Sequence, residues 1–130
     1  MLDEATAHEL RRHWDDGWNG YDLETIMAAF APDVVFSSPF VARRTGDPER
    51  TTIEGYDALR AYVADALETA PGIGYTVDAL HAGTDSLVLV YTCHLADGTD
   101  QPGADWMRVD GEGRVVEWRC HYSFAFIPAP

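Results

Sequence analysis

The sequence contains no lysine: all nine of its Lys and Arg residues are arginines, and 22 acidic residues outnumber them. Without a lysine amine, Schiff-base chemistry is excluded. The formal net charge of −13 repels phosphate backbones and anionic lipid head groups. We therefore expect neither a nucleic acid nor a membrane surface as a partner.

Long apolar runs and cysteine motifs are also missing. No run approaches the roughly 20 apolar residues of a transmembrane helix, and the first residues lack the apolar segment of a signal peptide. Cys93 and Cys120 form no C-x-x-C motif, which suits a reducing compartment and predicts a cytoplasmic protein. The five histidines lack metal-ligand spacing, so we expect no metal and no cofactor.

What is present is typical of one globular domain over residues 1–130, with 46% hydrophobic residues. Apolar residues at helical spacing predict three helices, over 3–18, 23–31 and 56–69. The first helix starts at Asp3 or one turn later, at a capping box of Thr6 and Glu9. Between the second and third helices we predict a short strand over 33–38 and a surface loop over 40–52.

The second half of the chain is predicted to be β. Two strands cover 74–82 and 86–96, and the dipeptide Asp97-Gly98 after them is a strong hairpin signal. Two longer strands follow within 101–123, joined by a turn at 110–113. Helices first and an antiparallel sheet afterwards predict an α+β domain.

Asp105 is the sharpest functional candidate. The two-residue period of a strand places it on the same face as Met107 and Val109. Pairing the apolar faces of the last two strands adds Val116, Trp118, Cys120 and Tyr122 to that side. A carboxyl group among such residues must be hydrogen-bonded, paired with a cation, or kept neutral by a raised pKa. Groups of this kind occur most often at functional sites.

Three stretches that together span nearly the whole chain resemble a known family. WNGYDLETIMAAFAPDVVFSSPF, IEGYDALRAYVADAL and DWMRVDGEGRVVEWRCHY are similar to the SnoaL-like and ketosteroid-isomerase-like branch of the nuclear transport factor 2-like superfamily. The resemblance implies a cone-shaped α+β fold, with three N-terminal helices packed on a curved, mainly antiparallel sheet. The superfamily includes isomerases, cyclases, dehydratases, epoxide hydrolases and non-catalytic binders, so the resemblance leaves the function open.

The resemblance also implies roles for individual residues. Ketosteroid isomerases carry an aspartate base just before the proline that ends the first strand, and Ser38 stands in that place here. They carry an oxyanion-binding tyrosine on the first helix, where this chain has Trp14. Their second oxyanion donor, a protonated aspartate in a D-x-x-R-[FV] strand, is matched by Asp105, followed by Arg108 and Val109. Ser38 is no base by itself and an indole only donates, so steroid isomerisation proper is not expected.

His94 is the second catalytic candidate. If Val90 or Thr92 lies opposite Asp105, His94 is a same-face diagonal neighbour of the carboxyl group, and the two form a proton-transfer pair. A register shifted by one residue turns His94 to the outer face of the sheet instead.

Aromatic residues at these spacings mostly form a core, but some are expected to line a cavity inside the cone. The predicted substrate-binding residues are Trp14, Trp18, Ser38, Tyr62, Met107, Trp118 and Tyr122. Arg43, Arg44 and Arg50 either gather over an anionic substrate or, as we favour, belong to a solvated loop. Arg119 and His121 lie on the outer sheet face, where this family commonly forms homodimers.

The leading hypothesis is a cofactor-independent acid/base enzyme acting on a small apolar or aromatic molecule bound in the cone. Isomerisation, aldol-type cyclisation and dehydration are all compatible with these acid/base residues and an apolar cavity. The alternative is a non-catalytic binding or dimerising module of the same fold, which the replacements at Ser38 and Trp14 favour. A purely structural domain would have no cavity.

Overall fold

The computed structural model describes residues 1–128 of the chain, and within them six strands form one sheet. The strands are β1 (Phe30–Ser37), β2 (Thr52–Glu54), β3 (Gly74–Ala82), β4 (Ser86–His94), β5 (Asp100–Val109) and β6 (Val115–Tyr122). Their order across the sheet is β2-β1-β6-β5-β4-β3, and every pairing is antiparallel except that of β1 with β6. The helices are α1 (Glu4–Asn19), α2 (Leu23–Met27), α3 (Val41–Thr45) and α4 (Tyr56–Thr69). The α+β expectation is confirmed.

Local capping explains where the first helices begin. The carboxylate of Asp3 accepts a hydrogen bond from the backbone N–H of Thr6 at 2.7 Å, so α1 starts at its earlier predicted position. Asp22 caps α2 in the same way, through the N–H of Thr25 at 3.2 Å. One face of α1, with Ala7, Leu10, Trp14 and Gly17, is buried against the rest of the molecule.

The predicted boundary between the second helix and the first strand is wrong. The second helix ends at Met27 and not at residue 31, because β1 begins at Phe30 and runs through Pro32. The strand tolerates this proline because its pairing with β6 is irregular between Phe30 and Val35, where no ladder hydrogen bond needs the missing N–H.

The predicted loop 40–52 also contains more structure than expected. The segment contains the short helix α3, which is capped by Gly46 with φ 75°. Its residue 52 is also the first residue of the three-residue edge strand β2. A fourth, short helix therefore joins the three expected ones within residues 1–128. Both elements are too short to produce a periodic pattern in the sequence.

The helices cover one face of the sheet, and burial alternates along its strands. In β4 the residues Leu87, Leu89, Tyr91 and Cys93 are buried, and the residues between them are only partly covered. The inner face of β5 holds Asp105, Met107 and Val109, as the two-residue period predicted. The core between sheet and helices is continuous around these positions.

The outer face of the sheet carries both apolar and charged side chains, since Val88 lies opposite Trp106 and Val90 opposite Ala104. The guanidinium of Arg119 lies 5.9 Å from the centre of the Trp106 ring, and Arg108 and Arg119 both pair with Glu117. Pairing of two copies through this face stays a prediction, and sedimentation velocity would decide whether a dimer forms. No helix within residues 1–128 is both long enough and apolar enough to cross a membrane.

The close contact between α1 and α2 gives a prediction about stability. A Cβ atom at Gly17 would lie 2.5 Å from Cγ1 of Ile26 and 3.0 Å from its backbone nitrogen. Gly to Ala in a helix usually stabilises by about 1 kcal/mol. We expect Gly17→Ala instead to lower the free energy of unfolding by about 1–3 kcal/mol, because the helices must move apart.

Urea unfolding of Gly17→Ala and wild type measures this change. Gly111→Ala is the matched control, since a Cβ there meets nothing within 4 Å, and it should stay within about 0.5 kcal/mol of wild type. A Gly17→Ala protein as stable as wild type would show that the two helices are not in the described contact.

Candidate active site

A pocket of about 230 Å³ opens between the inner face of the sheet and the helices. A cavity of about 150 Å³ already accommodates benzene in another protein, so this volume suits a molecule of about two fused rings. The predicted substrate-binding residues that line it are Trp14, Trp18, Ser38, Tyr62, Trp118 and Tyr122. Met107 does not, because it lies two residues beyond Asp105 in the filled core, opposite Leu87 and Trp118.

Asp105 forms part of the pocket wall and is the most thoroughly buried charged group there, with 1% of its surface exposed. Its Oδ2 atom accepts hydrogen bonds from the indole N–H groups of Trp14 and Trp118, both at 3.0 Å. Its Oδ1 atom accepts the hydroxyl of Tyr91 at 3.1 Å. Within residues 1–128 it forms no ion pair, so hydrogen bonds alone compensate its burial.

Each of these donors comes from a different element. Trp14 lies on the buried face of α1, Trp118 lies on β6, the strand next to that of Asp105, and Tyr91 lies on β4. Tyr91 pairs with Gly103, and a Cβ at Gly103 would lie only 2.6–2.7 Å from the Tyr91 ring and hydroxyl. The glycine is therefore required, because any side chain there would displace the phenol from Asp105.

Burial raises the pKa of Asp105, and the hydrogen bonds from Trp118, Trp14, Cys120 and Tyr91 oppose that rise. The same contacts suit either protonation state. The indoles only donate, so Oδ2 accepts from both of them whether or not a proton is present. A proton on Oδ1 can be donated to the Tyr91 oxygen, and the ionised group can accept the Tyr91 hydroxyl. Asp105 can thus gain or lose a proton without movement of its neighbours.

His94 is not part of this site, and its expected pairing with Asp105 is wrong. The register places Leu89 opposite Asp105, one residue away from the pairing that would bring His94 to the same face. His94 lies on the outer face instead. Its Nδ1 atom is 2.7 Å from Asp100 Oδ1, and its Nε2 atom is 2.7 Å from Thr76 Oγ1.

Two further pocket residues differ in their bonding. Ser38 is 7% exposed, and its Oγ atom accepts the backbone N–H of Phe40 at 3.2 Å, a bond local to the strand end. The indole N–H of Trp18 is buried and has no acceptor in the described part of the chain. Its ring lies against those of Tyr75 and Trp118.

Sequence reasoning missed Tyr91 and Gly103. Tyr91 becomes a partner of Asp105 only once the register is known. A glycine inside a strand pattern often marks a close approach of another group, and Gly103 was a signal of that kind.

Of the three loop arginines, Arg44 lines the pocket, while Arg43 and Arg50 do not. In residues 1–128 no group of three His, Cys, Asp or Glu side chains is arranged to hold a metal.

Comparison with known proteins places the chain among relatives of this shape. The sequence profile of the SnoaL-like domain matches residues 10–118, and no curated protein matches the sequence. A SnoaL-like protein of unknown function from Burkholderia thailandensis is similar at 28% identity, with a TM-score of 0.80 over 95% of this chain and 99% of that one.

Two further solved structures are similar at lower identity. A nuclear transport factor 2-like protein of unknown function from Mesorhizobium loti has 22% identity and a TM-score of 0.74, covering 95% of this chain and 97% of its own. A provisionally named ketosteroid isomerase from Kribbella flavida has 24% identity and a TM-score of 0.71, covering 97% of this chain and 84% of that one. These likenesses confirm the cone-shaped nuclear transport factor 2-like fold.

The raised pKa of Asp105 predicts a specific pH dependence. In the unfolded chain the carboxyl titrates near ~3.9. Above that pH the folded state holds the proton more tightly than the unfolded state does, so stability falls as pH rises toward the folded pKa. Asp105→Asn keeps a carbonyl for both indoles and an N–H for the Tyr91 oxygen, and it cannot ionise. Wild type should therefore lose stability relative to Asp105→Asn as pH increases from about 4.

Urea unfolding of both proteins at intervals between pH 4 and pH 8 gives this difference, and all other titrating groups cancel in it. A difference that stays flat, or that grows in favour of wild type as pH rises, would mean that the Asp105 pKa is not raised.

The indole donors predict a second change in the same pKa. Trp118→Phe and Trp14→Phe each remove an N–H that favours the ionised carboxylate, so each should raise the Asp105 pKa further. Carboxyl-carbon NMR measures it, with Asp105→Asn to assign the signal. Trp18→Phe is the matched control, because the indole N–H of Trp18 has no acceptor among the described residues. This substitution should leave the Asp105 pKa unchanged. Equal shifts in all three variants would contradict the described hydrogen bonds.

Proposed function

Because the chain belongs to the SnoaL-like domain family, we propose that it binds a small apolar or aromatic molecule and acts on it by cofactor-independent acid/base catalysis through Asp105. One observation carries this proposal: a fully buried carboxyl group without an ion pair in residues 1–128 stands in the wall of an open pocket. Carboxyl groups whose pKa is raised by burial are suited to proton transfer.

The pocket walls suit a ring-shaped substrate. The ring of Phe36 lies 4.5 Å from that of Trp118, and the ring of Trp14 lies 4.7 Å from that of Tyr91. All four line the pocket. Flat aromatic walls with a few polar groups favour a flat apolar body with one or two oxygens.

Proton transfer would run from Asp105 through Tyr91 to a substrate oxygen. Tyr91 gives its hydroxyl hydrogen to the substrate and takes the proton of Asp105 Oδ1, and a carboxylate remains. The two indole N–H groups already point at Oδ2 and stabilise that carboxylate as it forms. Polarisation of a carbonyl or hydroxyl in this way serves isomerisation, cyclisation and dehydration alike.

A non-catalytic binding protein is the second candidate. Ser38 occupies the position of the family's base, and its Oγ atom is already bonded to the Phe40 N–H. Both oxygens of Asp105 also have donors from the protein itself. A pocket of this kind would hold a ligand without transferring a proton to it.

The α-hydrogens of 2-tetralone, a two-ring ketone, distinguish these candidates. If Asp105 and Tyr91 polarise the ketone, solvent water can take the α-proton, and the protein should speed deuterium uptake in D₂O, followed by proton NMR. Asp105→Asn and Tyr91→Phe should each reduce the rate about 100-fold. Trp106→Phe, on the outer face, is the control and should exchange like wild type.

Binding is measured separately, by quenching of tryptophan fluorescence in the Trp106→Phe protein, whose remaining tryptophans all line the pocket. Binding without exchange above the buffer rate would support the binding protein and overturn the enzyme. If 2-tetralone and 2-naphthol both fail to bind, neither candidate stands.

A further inference from the structure

Arg44 is the only basic residue among the described residues that line the pocket. It lies on α3, the short helix between β1 and β2, and 27% of its side chain is exposed. Asp105, by contrast, is buried completely. The pocket therefore has an inner polar end at Asp105 and an outer polar end at Arg44, with aromatic walls between them.

Part of the Arg44 guanidinium is committed to the protein. Its Nη1 atom donates to Thr69 Oγ1 at 2.9 Å and lies 3.6 Å from a carboxylate oxygen of Asp65. The Asp65 side chain is 55% exposed, and an ion pair this long and this solvated contributes little. These contacts tie α3 to the end of α4 and use one nitrogen only.

The remaining edge of the guanidinium, Nε and Nη2, has no hydrogen-bond acceptor within residues 1–128. That edge presents two parallel N–H donors, which is the geometry that a carboxylate accepts with both of its oxygens. The edge is therefore free of protein acceptors among the described residues and can receive a bound anion.

Tyr62 offers a second donor in the same pocket. Its ring packs 5.2 Å from that of Phe36 and lines the same pocket, and its hydroxyl has no hydrogen-bond partner within residues 1–128. Burial raises the pKa of Tyr62 to about 12, while the positive charge of Arg44 opposes the rise. The hydroxyl therefore keeps its proton at neutral pH, and the charges of Arg44 and Asp65 act on it in opposite directions.

We propose that the molecule bound in this pocket is an amphipathic carboxylate, with its carboxylate held by Arg44 and Tyr62 and its apolar ring system extending toward Asp105. The inference rests on the proposed function for the pocket itself but not on catalysis. A net charge of −13 disfavours anions at long range, so the preference must come from these local contacts.

The test compares two probes with the same ring system, 6-hydroxy-2-naphthoate and 2-naphthol, by tryptophan fluorescence in the Trp106→Phe protein. We expect the carboxylate to bind about tenfold more tightly than 2-naphthol, since hydrogen bonds to charged groups are worth at least that factor. Arg44→Gln should abolish the preference and leave the affinity for 2-naphthol unchanged. Tyr62→Phe should reduce the preference by a smaller factor.

Arg43→Gln is the matched control, because it removes the same charge from the neighbouring position of α3, which does not line the pocket. It should keep the full preference. Arg44→Lys retains the charge without the paired edge and should keep only part of it. Urea unfolding of each variant shows whether the loss of the Thr69 contact has disturbed the fold.

Equal affinity for the two probes in the wild-type pocket overturns the proposal, as does an equal loss in Arg43→Gln and Arg44→Gln. These outcomes leave the proposed acid/base function intact, because 2-tetralone is neutral and its deuterium exchange is measured independently. Conversely, a tenfold preference without exchange supports the carboxylate site and overturns only the catalysis.

Discussion

The burial of one carboxyl group constrains most of this structure. Transfer of Asp105 from water into an apolar core is costly unless its oxygens find donors. Trp14, Tyr91 and Trp118 provide them, from α1, β4 and β6, and the Cys120 thiol adds to them. A rotation of α1 or a slip of either strand by one residue would remove a donor and leave part of the desolvation cost of the buried carboxyl group uncompensated. Helix placement and strand register are thus coupled through a single residue.

The same constraint explains the unusual residues around it. Gly103 has no side chain because the Tyr91 phenol fills that space, where it reaches Asp105. Trp14 and Trp118 are both tryptophans, which combine a large apolar surface with one N–H donor and no acceptor. The inner end of the pocket is consequently rigid and well bonded. Among the described residues, donors without partners remain at the outer end, on Arg44 and Tyr62, and at the buried indole N–H of Trp18.

Sequence patterns predicted the parts of this arrangement that depend on local periodicity. The two-residue period placed Asp105 on the buried face, and helical spacing placed Trp14 on the inner side of α1. The register between strands has no such local signature. A shift of one residue separates a His94–Asp105 pair from the observed Leu89–Asp105 pairing, and both are compatible with the sequence. Tyr91 was missed for the same reason, and α3 and β2 were missed because they are too short to show a period.

The set of charged groups around the pocket limits the chemistry that it can support. Among the described lining residues, Asp105 has the only carboxyl group and Arg44 the only cationic side chain, and every donor near Asp105 stabilises its ionised form. With Ser38 in place of a carboxylate, no second side chain is positioned to remove a proton from carbon. A pocket with this composition favours proton donation to a substrate oxygen over abstraction from carbon. Substrates whose carbon acid ionises easily once the oxygen is polarised are therefore the ones that this site can serve.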